Sequence, residues 1–203
     1  MSTRRTDKGT ETRARILRAA RRLFAANGFN GTTTRQIADA ARVNEALIFR
    51  HFPTKRRLYG AIIQKKIDEE LATRPPVTDA GAAADDRAVF RAIALRLFDS
   101  FENDPAFVRL LYFSALEGHA LADMFFDSYV HRLNAWARDY VRRRAAQGEF
   151  KNLDPFLVAR AFLGMVAHYI LLQELFTLKR QKRFRKDTVV DAFVEIFLRG
   201  IKR

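Results

Sequence analysis

Apolar positions in this chain recur at the three- and four-residue spacing of a helix face, and no stretch shows the strict alternation of a half-buried strand. The first stripe, Ile16, Ala20, Leu23, Phe24 and Ala26, predicts a helix over 11–27 that Asn27-Gly28 ends. Two short helices follow, and then a longer one over 55–73 with Leu58, Ile62, Ile63 and Ile67 on one side and Thr54 as its cap. Further helices are expected at 86–102, 105–117, 119–147, 155–178 and 187–201. Asp104-Pro105 and Asp154-Pro155 each place a capping carboxylate before a proline in the first helical position. Residues 1–9 are polar and basic without periodicity, which predicts a disordered arm. Pro75-Pro76 and the small residues after it predict a linker over 74–86, separating a first domain over 10–57 and its connecting helix to about 73 from an all-helical domain over 87–203.

The two short helices carry the sharpest local signals. Thr33 stands three residues before Gln36, the spacing at which a Thr hydroxyl and a Gln side chain cap each other's backbone. Ile37, Ala38 and Ala41 share one face, Val43 sits in the turn, and Asn44 can cap the second helix. There Ile48 and Phe52 face inward, leaving Glu45, Ala46, Phe49 and Arg50 outward. A helix that presents its first turn to solvent and is braced by another is a helix-turn-helix reader, suited to a major groove about 12 Å wide.

Charge strengthens that reading. The net charge is +14 and the sequence pI about 10.7, which favours a polyanionic partner. Through Arg57 there are 14 Lys and Arg against 4 Asp and Glu, so +10 of the +14 lies on the segment with the helix pair. Cysteine is absent, which excludes disulfides, thiolate metal sites and cysteine nucleophiles. The chain starts without an apolar leader, and the apolar run over 161–172 is too short to span a bilayer and broken by His168; a soluble cytoplasmic protein without membrane contact is expected. No zinc-protease motif, nucleophile elbow or phosphate-binding glycine loop is present, so neither an enzyme nor a cofactor is expected. His119, Asp123, Asp127 and His131 recur every four residues, but twelve residues of helix cover about 18 Å, too far for one ion. The ladder reads as a solvated or capping face, with no metal.

Residues 16–61, through "AARRLFAANGF", "TTTRQIA" and "IFRHFPTK" and on to Leu58, resemble the DNA-binding domain of TetR-family transcriptional repressors. The resemblance implies an all-α homodimer, with an N-terminal three-helix helix-turn-helix domain and a C-terminal ligand-binding and dimerisation domain. It makes Thr33, Thr34 and Lys55 phosphate contacts and Arg35 a base or phosphate contact. It places Glu45, Ala46, Leu47, Phe49, Arg50 and His51 on the recognition helix, behind Asn44. Arg35, Glu45 and Arg50 are the candidates for base readout. The chain departs from the family pattern at Arg42, where Gly is usual, at Phe49, where a Tyr hydroxyl is lost, and at Arg56 and Arg57, which replace residues that are often acidic. A positive φ at Arg42 would carry strain.

In the second domain the helix over 155–178 is apolar on almost every side and must be covered on several faces. With the last helix it is expected to form a four-helix dimer interface through Phe162, Val166, Ile170, Gln173, Phe193 and Phe197. Aromatics at helical spacing are core by default. A cavity among them is expected to use Phe98, Phe113, Glu117, Tyr129, Trp136, Met165 and Tyr169 and to take an apolar or aromatic effector. The expected function is a ligand-responsive repressor that binds a pseudo-palindromic operator in double-stranded DNA as a homodimer. The alternatives are a constitutive or non-specific DNA-binding protein without an effector, and an activator.

Overall fold

The computed structural model describes residues 3–72, 85–118, 121–175 and 184–203, and they are helical almost throughout. The helices are α1 (Thr3–Asn27), α2 (Thr34–Ala41), α3 (Glu45–His51), α4 (Lys55–Ala72), α5 (Asp86–Asn103), α6 (Pro105–Leu116), α7 (Leu121–Phe125), α8 (His131–Ala146), α9 (Pro155–Leu175) and α10 (Lys186–Ile201). One π-helical turn, Phe126–Val130, joins α7 to α8 inside the stretch expected as one uninterrupted helix. Among the described residues the β-type pairing is confined to a single bridge, Phe150 with Lys202.

The chain divides into two compact units, and the division differs from a simple cut at the linker. Residues 1–72 join 106–128 in one unit, and 73–105 join 129–203 in the other. Most of the expected linker lies outside the described residues; its end, Asp85 and Asp86, caps and begins α5. Helix α1 begins at Thr3, within the stretch expected to be a loose arm.

In the N-terminal unit the apolar stripes meet as periodicity predicts. Ile16, Ala20 and Phe24 of α1 are buried with Ile37, Ala38 and Ala41 of α2, Ile48 of α3, Phe52, and Leu58, Ile62, Ile63 and Ile67 of α4. Ala26, predicted on the α1 stripe, is exposed. Phe24 meets Tyr59 edge-on at 4.8 Å between ring centroids, and Phe29 packs on both.

The C-terminal unit is built around Phe90 of α5, whose ring meets Phe162 of α9 at 4.9 Å and Phe197 of α10 at 4.8 Å. Tyr140 of α8 closes the same cluster. Asp154 caps α9 as expected, its Oδ1 accepting from the amides of Phe156 and Leu157 at 2.9 and 3.0 Å. The stretch Pro155–Gln173 of α9 is, by length and composition, long and apolar enough to cross a membrane, although a third of it is buried within this chain. A helix covered within a protein passes the same test of length and composition.

Candidate nucleic-acid interface

Both predicted caps of the reader are formed. The Thr33 Oγ1 accepts from the Gln36 amide at 3.2 Å while the Gln36 Oε1 accepts from the Thr33 amide at 2.8 Å. The Asn44 Oδ1 accepts from the Leu47 amide at 2.8 Å and starts α3. Each cap satisfies amides that a helix start otherwise leaves open.

Between the helices Arg42 adopts φ 53° and ψ 51°, the only positive φ of a non-glycine residue among those described. The turn needs it, because the Arg42 and Val43 amides fold back to the carbonyls of Asp39 and Ala38 and close the end of α2. Arg15 of α1 completes this end, its Nη2 donating to the carbonyls of Ala41 and Arg42 at 2.6 and 2.9 Å. A guanidinium placed there also opposes the negative end of the helix dipole.

The outward surface of α3 is Ala46, Phe49 and Arg50, with Asn44 and Arg35 exposed nearby and Leu47 and His51 half-buried. Ile48 is buried behind them. Glu45, expected to face outward, is half-buried instead: its carboxylate accepts from the Thr34 hydroxyl. The first turns of α2 and α3 are thereby tied, and both side chains are engaged within the protein.

Lys55 is likewise turned inward. Its Nζ donates to the carbonyls of Phe29 and Thr32, each at 2.9 Å, and lies 4.2 Å from the Phe29 ring centroid. Burial lowers its pKa from the ordinary value, opposed by the Glu117 carboxylate. Two of its three N–H donors therefore hold the turn between α1 and α2, leaving one for another acceptor.

Glu117 grips the other side of that turn, its Oε2 and Oε1 accepting from the Phe29 and Asn30 amides at 3.1 and 3.4 Å. Gly28 holds φ +73°, which a side-chain-bearing residue adopts only with strain, and a Cβ there would stand 2.7 Å from the Glu117 carboxylate and oblige it to shift. Nearby, the Tyr59 hydroxyl donates to the Leu110 carbonyl at 3.0 Å, and burial pushes its pKa up to about 12. Sequence reasoning missed the roles of Arg15 and Glu117. Glu117 lies 88 residues from its partner in the chain, beyond the reach of any local signal.

Glu117 and Phe113 were expected in an effector cavity, and both belong to the N-terminal unit; Phe113 packs beside Gly28. The remaining expected residues lie in the C-terminal unit, where Trp136, Met165 and Tyr169 pack against the core cluster that holds Phe98. Phe98 and Tyr169 line a cavity of about 490 Å³ together with Glu102, Gln173, Phe184 and Lys186. Trp136 stacks on Tyr140, Tyr129 accepts from the Arg96 guanidinium at 3.2 Å, and Met165 packs against the core.

The expected dimer residues need a larger correction. Phe162, Val166, Ile170 and Phe197 are buried in this chain's own core, and Phe193 and Gln173 are half-buried. A helix apolar on all sides gives no sign of which side faces its own core. The exposed side of α9 runs through Leu157, Ala161, Gly164 and His168, and that of α10 through Ala192 and Ile196. Of the acidic and histidine ladder, Asp123, Asp127 and His131 are exposed, His119 lies outside the described residues, and no metal-binding cluster exists among those described.

Comparison with known proteins agrees with the helical fold and its two-part organisation. Residues 16–62 match the family described as bacterial regulatory proteins, tetR family. Residues 88–200 match the C-terminal domain of AefR-like transcriptional repressors. The nucleoid occlusion factor SlmA of Escherichia coli (strain K12 / DH10B) is 30% identical over 161 residues, 73% of this chain and 77% of that one. Among solved structures, the ketosteroid transcriptional regulator KstR2 of Mycobacterium tuberculosis superposes with a TM-score of 0.69 at 20% identity, covering 94% of this chain and 95% of the other. The flavonoid-responsive regulator FrrA gives 0.64 at 24% identity, covering 95% and 98%. At these identities the two structures speak for the fold.

Proposed function

The chain belongs to the tetR family of bacterial regulatory proteins, and from that premise we propose that it is a homodimeric repressor, reading a pseudo-palindromic operator and released by a small effector. The observation that carries the proposal is the α3 surface. Ala46, Phe49 and Arg50 stand exposed on a helix braced from behind, in the segment that holds most of the chain's positive charge. Such a helix enters a major groove by its first turns, with Arg50 in reach of a base edge and Arg35 and Thr33 at phosphates. The test is selection of bound fragments from random duplex DNA at near-physiological salt. An inverted repeat with half-sites about 34–36 Å apart supports the proposal. Enrichment without a shared motif sinks it and leaves a charge-driven binder. Arg50→Ala then costs about 1–3 kcal/mol on the selected operator alone. An equal loss on unrelated DNA makes Arg50 a phosphate contact.

Dimerisation is assigned to the uncovered sides of α9 and α10. Leu157 is 64% and Ile196 63% exposed, and Ala161 and Gly164 allow a second copy's helices to approach. Four such helices make a bundle seam of obligate-dimer type. Leu157→Glu combined with Ile196→Glu should give monomers in sedimentation and abolish operator binding. The effector site is assigned to the cavity beside Phe98, Tyr169 and Phe184, whose size suits a small molecule held by aromatic faces. By linkage, a compound that raises the melting temperature through this site and weakens operator binding must bind less tightly when operator is present.

The likeness to a nucleoid occlusion factor keeps a second reading in play, a constitutive DNA-binding protein, for which we propose no effector. In that case no compound changes operator affinity, and the selected motif recurs at many chromosomal positions rather than beside a few promoters.

A further inference from the structure

The described surface of the N-terminal unit includes a basic cleft that none of the expected DNA-contacting residues line. Its volume is about 290 Å³, and its walls are Arg15, Arg18, Ala19, Arg21 and Arg22 of α1 with Ala40, Ala41 and Arg42 at the end of α2. Five arginines are among the residues that line this one concavity, and no carboxylate residue is among them. Arg15, Arg18 and Arg22 fall at i, i+3 and i+7, one face of α1. They do not serve alike. Arg15 caps the carbonyls of Ala41 and Arg42, whereas Arg18, Arg22 and Arg42 are exposed.

Holding so many like charges together opposes folding through mutual repulsion, so the cluster gains most where an anion settles among them. Its position names the anion. Arg42 is two residues from Asn44, the cap of α3, so its backbone stands within about 7 Å of the helix start that enters the groove. A groove is walled on each side by phosphates. The end of α2, which would otherwise repel a phosphate with open carbonyls, is neutralised by Arg15. We infer that this cleft is a second DNA-backbone clamp, in which Arg18, Arg22 and Arg42 hold phosphodiesters flanking the half-site read by α3. The inference rests on the operator-binding reading above and adds contacts on α1 and the α2–α3 turn that the family resemblance does not assign. The clamp sets register and salt dependence, and leaves base preference to α3.

The test uses the full chain and the duplex recovered by selection. Binding is measured across salt concentrations for the unmodified protein, for Arg18→Gln/Arg22→Gln and for Arg18→Lys/Arg22→Lys. Gln and Lys are good helix formers and both positions are exposed, so folding should survive; the melting temperature checks this. Loss of two phosphate contacts in each protomer, four per bound dimer, should make the salt slope shallower by about 3–4, weaken binding by the same factor on operator and unrelated duplex, and leave the selected motif unchanged. The Lys pair keeps the charge and should keep the slope. Ethylation of the phosphates flanking each half-site should interfere with the unmodified protein and no longer with the Gln pair. An unchanged slope with an unchanged interference pattern overturns the clamp. So does saturable binding of inorganic pyrophosphate that needs Arg18 and Arg22 while the duplex slope stays the same, which would make the cleft a small-anion site. Failure of the unmodified protein to prefer any duplex is a separate result, and it removes the operator reading itself.

Discussion

In the C-terminal unit several cations are matched to carboxylates across helices. Arg87 pairs with Glu195, Arg91 with Asp187 and Asp191, Lys186 with Asp99 and Glu102, and Arg144 and Lys202 with Asp86. In the N-terminal unit Arg15 and Lys55 hold carbonyls instead, and Arg18, Arg22, Arg35, Arg42 and Arg50 stand exposed. The difference teaches what each set of charges is for. Matched charges join α5 to α8 and α10 and neutralise themselves. Cations that cap a turn shape the backbone, and the exposed excess around them can be matched only by a partner of opposite charge.

The strongest way to break the matched side is Asp86→Asn. This carboxylate is 2% exposed and accepts from Arg144 at 2.7 and 3.1 Å and from the Tyr140 hydroxyl at 2.7 Å, with the Lys202 ammonium at 3.3 Å. Burial by itself would raise its pKa, but hydrogen bonds from Arg144, Tyr140 and Lys202 outweigh burial and hold it below the usual carboxylate range. Removing the charge takes the shared carboxylate from the half-buried Arg144 guanidinium, which keeps Gln147 and Glu149, and from Lys202, and should cost about 3 kcal/mol in urea unfolding at neutral pH. Because the folded pKa is depressed, the stabilisation is present above the ordinary carboxylate pKa and lost as pH falls through the folded one. The deficit of the variant should therefore shrink in acid. A deficit that stays constant would assign the effect to packing.

On the other side, Glu117→Ala frees the amides of Phe29 and Asn30. A carboxylate accepting two amides is worth roughly 1.5–3 kcal/mol, so faster hydrogen exchange at those two positions and a lower melting temperature are expected. Unchanged exchange would mean that the turn holds without the clasp.

Arg42→Gly separates stability from binding within one residue. It removes a left-handed conformation that costs a side-chain-bearing residue about 1–2 kcal/mol, partly offset by the greater freedom of glycine in the unfolded chain. A gain of at most about 1 kcal/mol in stability should accompany weaker DNA binding. If both fall together, the strain is absent and Arg42 is structural.

Least is expected from Lys186→Gln, which unpairs Asp99 and Glu102 on the surface. Exposed pairs are screened, so the change should stay within about 1 kcal/mol and vanish at high salt. A larger, salt-insensitive loss would show that the matched pairs carry more than their exposure allows.

Much of the reader was legible in the sequence because its determinants are local. Thr33 and Gln36 cap one another three residues apart, Asn44 caps α3 at the same separation, and Ile37, Ala38, Ala41 and Ile48 are buried where periodicity put them. The anomaly at Arg42 was visible as a side chain where the resemblance expects glycine, and the backbone there has positive φ.

Tertiary structure alone decided the rest, and the reason is the same each time. The side of α9 that faces its own core depends on where Phe90 and Phe197 come to stand, since the helix is apolar all round and periodicity has no contrast to read. Whether a lysine or glutamate points to a ligand or to a backbone depends on which unpaired amides and carbonyls folding brings within 3 Å or so. For Lys55 these lie 23 and 26 residues away, and for Glu117 about 88. Helix starts, helix faces and net charge are properties of neighbouring residues, and this sequence determined them by itself. The partners of Glu117, Lys55 and the uncovered side of α9 are properties of distance in space, which only the packed chain sets.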